Sequence, residues 1–179
     1  PLVGKARLRL LFRALKKTRK ALKRYPVTVT MMWEIFNVLG VEGNADHAVL
    51  WGAVTVAFLF VLRGGEYLCH DGGGFDRNRA LRGADITFWN DGKTVKWGRD
   101  APEVSIRLRS SKADIFNAGA SRNHFRSGCS ICAVEALAKI QERFPERFGD
   151  GEEAMLPLFR LSDGSPALRS MVQDLIQQA

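Results

Sequence analysis

The stretch VAFLFVLRGGEYL, residues 56–68, decides how this chain is organised. It closes an apolar run over 48–62 and places a guanidinium, that of Arg63, directly after that run. An arginine left unpaired in a dry interior is strongly destabilising. Glu66 follows three residues later, one helical turn away, where its carboxylate can pair with the guanidinium. The pattern therefore predicts a buried helix over about 46–68 with an Arg63–Glu66 pair near its end.

Two glycines, Gly64 and Gly65, separate these two charged residues. A glycine inside a helix costs about 1 kcal/mol relative to alanine. Their presence predicts that the helix loses regularity here, and that the backbone of a large ligand can approach Arg63 closely. A plain ion pair at a helix end is the competing interpretation, and for an isolated Arg-x-x-Glu it is the commoner one.

The composition is that of a globular protein with one core. The chain has 179 residues, of which 46% are hydrophobic and 26% charged. The apolar run over 48–62 is shorter than the roughly 20 residues that a membrane-spanning helix needs. Three cysteines are an odd number, which favours a reducing environment over a disulfide scaffold. We therefore expect an intracellular protein, located in the nucleus if it is eukaryotic.

The net charge of +8 is concentrated at the N-terminus. Residues 1–24 hold ten Lys and Arg and no Asp or Glu, and an apolar stripe at helical spacing runs through the same segment. Such a cluster is typical of a surface that binds a polyanion. A helix lying on an anionic membrane, or a solvated face of a packed helix, would carry the same pattern. We expect duplex DNA to be contacted by Lys16, Lys17, Arg19, Lys20, Lys23 and Arg24.

The segments around the apolar run alternate between helical and strand patterns. Pro26 predicts a break, and Thr28 or Thr30 can cap a helix over 30–39. The inward residues of that helix are expected to be Met31, Ile35, Val38 and Leu39.

The period then changes from helical to alternating, which predicts antiparallel strands near 84–89, 93–97 and 103–110. Asp91-Gly92 between the first two is a strong hairpin signal. Residues 111–125 are expected to be a connector, 130–144 a helix, 156–165 an extended piece with a turn, and 165–179 a helix with Ser165 as N-cap. The fold class is therefore α+β, mostly helical with a small three-stranded antiparallel sheet.

Five segments in this order resemble the catalytic domain of the tyrosine recombinases, the phage-integrase family: FLFVLRGGEYL, ADITF, VSIRLRSSKAD, CAVEALAKI and LPLF. Within that family, the segments most resemble the divergent recombinases of eukaryotic mobile elements. The resemblance covers roughly residues 20–179. It implies that residues 1–24 are the end of a DNA-clamping helical domain and that 25–179 are a partial catalytic domain.

The resemblance also implies roles for three residues. In that family a tyrosine attacks a DNA phosphodiester without a metal or cofactor, so fixed cations must hold the developing charge. The family's first catalytic arginine, in an L-R-x-x-E pattern, corresponds to Arg63, and Glu66 would hold it in place. The family's lysine, which protonates the departing 5′-oxygen, corresponds to Lys112. Duplex DNA is then the expected partner, with a possible homo-oligomer on DNA in the full-length protein and no membrane.

The chain also departs from the family. The H-x-x-R motif and the nucleophilic tyrosine are not among its 179 residues, whose only tyrosines are Tyr25 and Tyr67. We therefore expect a C-terminally incomplete catalytic domain that is inactive alone. An apparent insertion, HDGGGFDRNRALRG, lengthens the interval before Lys112, so Lys93 and Lys96 compete with it for the lysine role.

Two other interpretations stay open. A non-catalytic module that binds nucleic acid or a protein partner would keep the same fold and the same basic helix. A zinc site built on the C-x-x-C of Cys129 and Cys132 with His124, and with Cys69 or His70 as a further ligand, is a weaker possibility. The motif has no second pair, and it stands at the start of an apolar helix, where cysteine packs as a small hydrophobic residue. We therefore expect no metal.

Overall fold

The computed structural model describes residues 26–69, 71–72, 76, 80–109 and 118–179. Within them the fold is α+β, with five helices and a four-stranded antiparallel sheet. The helices are α1 (Val29–Leu39), α2 (Ala45–Phe60), the single turn α3 (Gly64–Tyr67), α4 (Ala133–Arg143) and α5 (Arg169–Gln178). The strands are β1 (Ile86–Asn90), β2 (Lys93–Val95), β3 (Glu103–Leu108) and β4 (Ala120–Phe125). The predicted DNA-clamping segment, 1–24, lies outside these ranges.

Helix α1 forms where the sequence predicts it, but the set of residues on its buried face differs from the expected set. The Thr28 side chain accepts a hydrogen bond from the Met31 backbone N–H at 3.2 Å, which confirms Thr28 as the cap. The buried residues are Met32, Ile35 and Leu39. Val38, which we expected to face inward, is 60% exposed, so that expectation is wrong. The buried stripe 32–35–39 is thus rotated slightly about the helix axis from the stripe 31–35–38 that we expected.

Helix α2 is the buried helix that the apolar run predicts, but it is shorter than expected. It ends at Phe60 instead of running to residue 68, because Val61 adopts a left-handed conformation with φ of 54°. A β-branched residue in that region is an outlier in protein backbones. The chain then turns, and α3 begins after Arg63 as a separate single turn. Arg63 is therefore the residue that precedes α3, not the last residue of α2. No helix in the described part of the chain is long and apolar enough to cross a membrane.

The sheet has one strand more than the sequence predicts. Its order is β2–β1–β3–β4, and Asp91-Gly92 forms the predicted hairpin turn between β1 and β2, with φ values of 49° and 72°. The additional strand is β4, in a region that we expected to be a connector. It pairs with β3 from Leu108↔Ala120 to Glu103↔Phe125. The sequence of β4 lacks the apolar–polar alternation of a half-buried strand, because β4 is a mostly exposed edge strand with polar residues on both faces.

The core lies between α2, α4 and one face of the sheet. Val104, Ile106 and Leu108 of β3 point into it, together with apolar side chains from all the long helices. Helices α2 and α4 pack so closely that a Cβ atom added at Gly52 would lie 2.4 Å from Cδ1 of Ile140. This close packing fixes α2 against α4.

The C-terminal helix starts later than predicted. It begins at Arg169, and Ser165 is not its cap, because the backbone N–H and the hydroxyl of Ser165 both donate to the Asp163 carboxylate at 2.8 and 2.6 Å. Two isolated bridges, Arg160↔Pro166 and Cys69↔Leu168, flank Ala167. The backbone hydrogen bonds that a helix from Pro166 would need are thus used for tertiary pairing.

Replacing Gly83 with alanine tests the packing beneath the sheet. A Cβ atom at this position would lie 1.5 Å from the carbonyl oxygen of Arg147, which is backbone and cannot swing away. We expect Gly83→Ala to lower the free energy of unfolding by about 3 kcal/mol, at the upper end of overpacking costs, measured by urea denaturation. Gly43→Ala is the matched control, because nothing lies within 4 Å of its added Cβ. Equal midpoints for the two variants would contradict the described packing.

Candidate nucleic-acid interface at the junction of α2 and α3

The pairing predicted between Arg63 and Glu66 is present. The Arg63 backbone N–H donates to Oε2 of Glu66 at 2.9 Å, and Nη1 of the guanidinium donates to Oε1 at 3.3 Å. The Glu66 side chain is 11% exposed, whereas that of Arg63 is 64% exposed. One carboxylate thus holds the backbone and the side chain of the same arginine. The result is an oriented cation that faces solvent instead of a buried, neutralised one.

The single turn that carries this pair is tied to the rest of the molecule. The Glu66 carbonyl accepts a hydrogen bond from Leu81 N–H at 3.0 Å, and the Leu81 carbonyl accepts one from Leu158 N–H at 3.0 Å. Leu158 belongs to the LPLF segment that the sequence singled out. The Tyr67 ring packs edge-to-face on Phe159, with centroids 6.1 Å apart. These contacts connect the Arg63 turn to the LPLF segment, so the position of the turn depends on that segment.

Tyr67 is buried and has the chemistry of a core residue. Its burial raises the pKa of the phenol to about 12, while the nearby Arg169 guanidinium acts in the opposite direction. The raised pKa makes the phenol harder to deprotonate than an exposed tyrosine, so it is a poorer candidate for a nucleophile.

Two further arginines lie at this junction, and the sequence reasoning missed both. Arg169, the first residue of α5, runs beside Gly64: its Nε lies 3.5 Å from where a Cβ of residue 64 would be. Arg122 on β4 donates a hydrogen bond to the carbonyl oxygen of Phe60, at the end of α2. We call Arg63, Arg122 and Arg169 the junction arginines. Only the late start of α5 and the existence of β4 bring the last two here, and the sequence pattern shows neither.

Lys112 lies outside the described residues, in 110–117, so its position relative to Arg63 stays a prediction. The strands before and after that segment, β3 and β4, pair with each other as far as Leu108↔Ala120. Arg109 fixes the end of β3, because its guanidinium lies 3.4 Å from the Asp85 carboxylate and also donates to the Ala80 carbonyl. The segment that carries Lys112 thus connects to the β3–β4 side of the sheet.

The competing lysines lie at the opposite edge of the sheet from β4. Lys93 is in β2, the edge strand opposite β4, and Lys96 follows β2 with its ammonium 5.4 Å from the Trp97 ring centroid. Strands are about 4.8 Å apart, so β2 and β4 are separated by roughly 14 Å. The Arg63 turn is on the β4 side, since His124 Nε2 lies 3.1 Å from the Leu59 carbonyl oxygen near the end of α2.

The C-x-x-C motif has other contacts. Cys132 is buried and accepts from the Ser127 N–H at 3.3 Å, while the Cys129 thiol lies 3.3 Å from the Ser127 hydroxyl. His124, the third ligand considered, instead packs on the Phe60 ring. Over the described ranges, no group of three or more His, Cys, Asp or Glu side chains could hold a metal ion.

Neither the models of known protein families nor the curated protein sequences match this chain. The resemblance to the tyrosine recombinases therefore rests on the sequence segments quoted above, and it stays a prediction.

The state of Tyr67 predicts a specific alkaline transition. Because the folded-state pKa of about 12 lies above the ordinary value of 10, folding retains this proton. The stability it contributes is fully present below pH 10 and is lost as pH rises towards 12. We expect the wild-type chain to lose free energy of unfolding over this range, and Tyr67→Phe to lose less. The measurement is urea denaturation at pH 9 and pH 11. Equal losses in the two proteins would place the phenol in solvent.

Proposed function

We propose that this chain binds duplex DNA and forms part of the catalytic domain of a phosphotyrosine strand-transfer enzyme. The observation that carries the proposal is the Arg63–Glu66 pair, in which a carboxylate orients a guanidinium that remains 64% exposed. An arginine fork held in this way can donate hydrogen bonds to two oxygens of one phosphate. In strand transfer without a metal, such a group would stabilise charge as it develops on the phosphorus oxygens.

The charge distribution supports a DNA partner. Residues 1–24 carry ten of the 27 basic residues and no acidic ones, so the excess charge of the whole chain is located there. The junction arginines add three exposed cations, of which only Arg63 has a carboxylate partner among the described residues. Positive charge of this density attracts polyanions by counterion release, independently of sequence.

The lysine role is assigned to Lys112 on two grounds. The family resemblance matches it to the RLRSSKAD motif, and the β3–β4 strands that flank it are on the Arg63 side of the sheet. Lys93 and Lys96 would have to act across the width of the sheet. A flexible ammonium is well suited to protonate a leaving 5′-oxygen, because it can reorient as that oxygen departs.

A second candidate function is a module that binds nucleic acid without cleaving it. The observation in its favour is the burial of Tyr67, the one tyrosine beside Arg63, which leaves this turn without an accessible nucleophile. A nicked suicide DNA substrate tests whether Tyr67 is a nucleophile, and we expect no covalent band from this chain under either function. A covalent protein–DNA band from this chain that disappears in Tyr67→Phe would contradict the assignment of Tyr67 to the core.

The DNA-binding proposal predicts a steep dependence on salt. We expect anisotropy of a labelled 20-base-pair duplex to give a log–log slope of about −0.9 for each phosphate neutralised. Replacing Lys16, Lys17, Arg19, Lys20, Lys23 and Arg24 together with glutamine should reduce the slope by several of these increments. An unchanged slope would show that residues 1–24 are not the DNA-binding surface.

Single variants test the role of Arg63 in the same assay. Arg63→Gln should make the log–log slope less steep by about 0.9 and weaken binding about eightfold at 0.1 M salt, which is the value of one phosphate contact. Arg99→Gln is the matched control, because Arg99 is 65% exposed and lies next to a carboxylate, that of Asp100, but is located by β2. If the two variants weakened binding equally, Arg63 would be an ordinary surface charge.

The catalytic roles are tested in a protein that joins this chain to the H-x-x-R motif and tyrosine of the family. There, Arg63→Ala should nearly abolish strand cleavage, and Lys112→Ala should slow it by about 10²- to 10⁴-fold, the range for a general acid. A 5′-bridging phosphorothioate substrate has a leaving group that needs no proton. It should restore cleavage by the lysine variant and not by the arginine variant. Rescue of Lys93→Ala or Lys96→Ala instead would move the general acid to the β2 edge.

A further inference from the structure

Arg169 occupies an unusual position beside the Arg63 turn. Its side chain extends along Gly64, with Nε 3.5 Å and Cδ 3.6 Å from the place of an added Cβ. Gly64 is the chain neighbour of Arg63, and consecutive Cα atoms are about 3.8 Å apart. Two guanidinium groups therefore approach the same short turn, one from α5 and one from the turn itself.

The charges around this turn are not balanced. Glu66 is already committed to Arg63 through two hydrogen bonds. The Asp71 carboxylate accepts a hydrogen bond from the hydroxyl of Ser170, the chain neighbour of Arg169, at 2.6 Å. In the described part of the chain, the Arg169 guanidinium makes no ion pair and no hydrogen bond. Like charges held close together repel, and an anion between them removes that cost.

Arg122 is a weaker candidate for the same ligand. Its guanidinium already donates to the Phe60 carbonyl oxygen and so caps the end of α2. Arg169 has no such structural task, since its contact with Cys69 is made by its backbone N–H at 3.2 Å. Replacing the Arg169 side chain should therefore leave the fold intact.

We propose that Arg63 and Arg169 form a two-arginine clamp, across Gly64, for a single phosphodiester of the DNA backbone. This inference rests on the proposed function and adds to it a second phosphate-contacting residue. A phosphodiester has two non-bridging oxygens, and each guanidinium offers a planar set of donors to one of them. The open surface at this turn suits a phosphate that remains part of a long polymer.

The first test is a double-mutant cycle by anisotropy of the labelled 20-base-pair duplex, with the full 179-residue chain. Arg169→Gln alone should weaken binding about eightfold at 0.1 M salt and make the log–log slope less steep by about 0.9. Because both residues hold one phosphate, the Arg63→Gln, Arg169→Gln double variant should lose little more than either single variant. Additive losses would overturn the shared phosphate.

The outcomes separate this inference from the proposed function. If Arg63→Gln weakens binding and Arg169→Gln behaves like Arg99→Gln, the clamp is wrong and the DNA-binding role of Arg63 stands. If neither residue differs from Arg99, both proposals fail at this site. Arg169→Lys keeps the charge and loses the fork, so it should bind more tightly than Arg169→Gln and more weakly than wild type. Equal binding by Arg169→Lys and wild type would contradict a bidentate contact.

A second measurement uses the unmodified protein. Phenylglyoxal reacts with accessible guanidinium groups, and peptide mass spectrometry reports the extent at each arginine. Saturating duplex DNA should protect Arg63 and Arg169 and leave Arg99 reactive. Full reactivity of Arg169 in the complex would overturn the clamp regardless of how the variants behave.

Discussion

Helix α2 is apolar around almost its entire circumference, and this constraint determines how the other elements are placed. A helix of this kind has to be covered on all sides. Within the described residues, α1, α4, α5 and β4 pack against it, and at Gly52 the α4 residue Ile140 lies directly against its backbone. The sheet needs an apolar backing for Val104 and Ile106, and α2 shares that task with α4. Moving α2 would therefore expose both the sheet and the helices.

The end of α2 creates the candidate site. A helix leaves its last carbonyl groups without partners inside the helix. Here β4 provides partners for two of these carbonyl groups. Arg122 donates to the Phe60 carbonyl, and the His124 ring lies at hydrogen-bond distance from the Leu59 carbonyl. The left-handed Val61 then turns the chain out of the helix, so that Arg63 emerges beside the docked strand. The strain at Val61 is the kind of local cost that clusters at functional sites, and it redirects a chain that would otherwise continue as helix.

The sequence predicts those parts of the structure that depend on local signals. The Thr28 cap, the Asp91-Gly92 hairpin, the buried run of α2 and the Arg63–Glu66 pair each depend on residues within a few positions of one another. The features that it missed depend on distant partners. Strand β4 exists because β3 offers an edge, and 166–168 stay out of the helix because Cys69 and Arg160 pair with that region. The neighbourhood of Arg169 and Gly64 is a consequence of that tertiary pairing, and no local pattern encodes it.

The exposure of the junction arginines limits the kind of ligand that fits them. An enclosed cavity would desolvate a small anion, and buried contacts would then supply much of the affinity. The Arg63 side chain instead remains mostly in water, where a single ion pair contributes at most about 1 kcal/mol. Useful affinity at such a surface requires many weak contacts to one ligand. A polymer with regularly spaced charges would meet this requirement, and in the proposed function the basic residues of 1–24 would hold it by counterion release. In the proposed function, the oriented guanidinium would have the separate task of placing one phosphate relative to the turn, for which geometry matters more than strength.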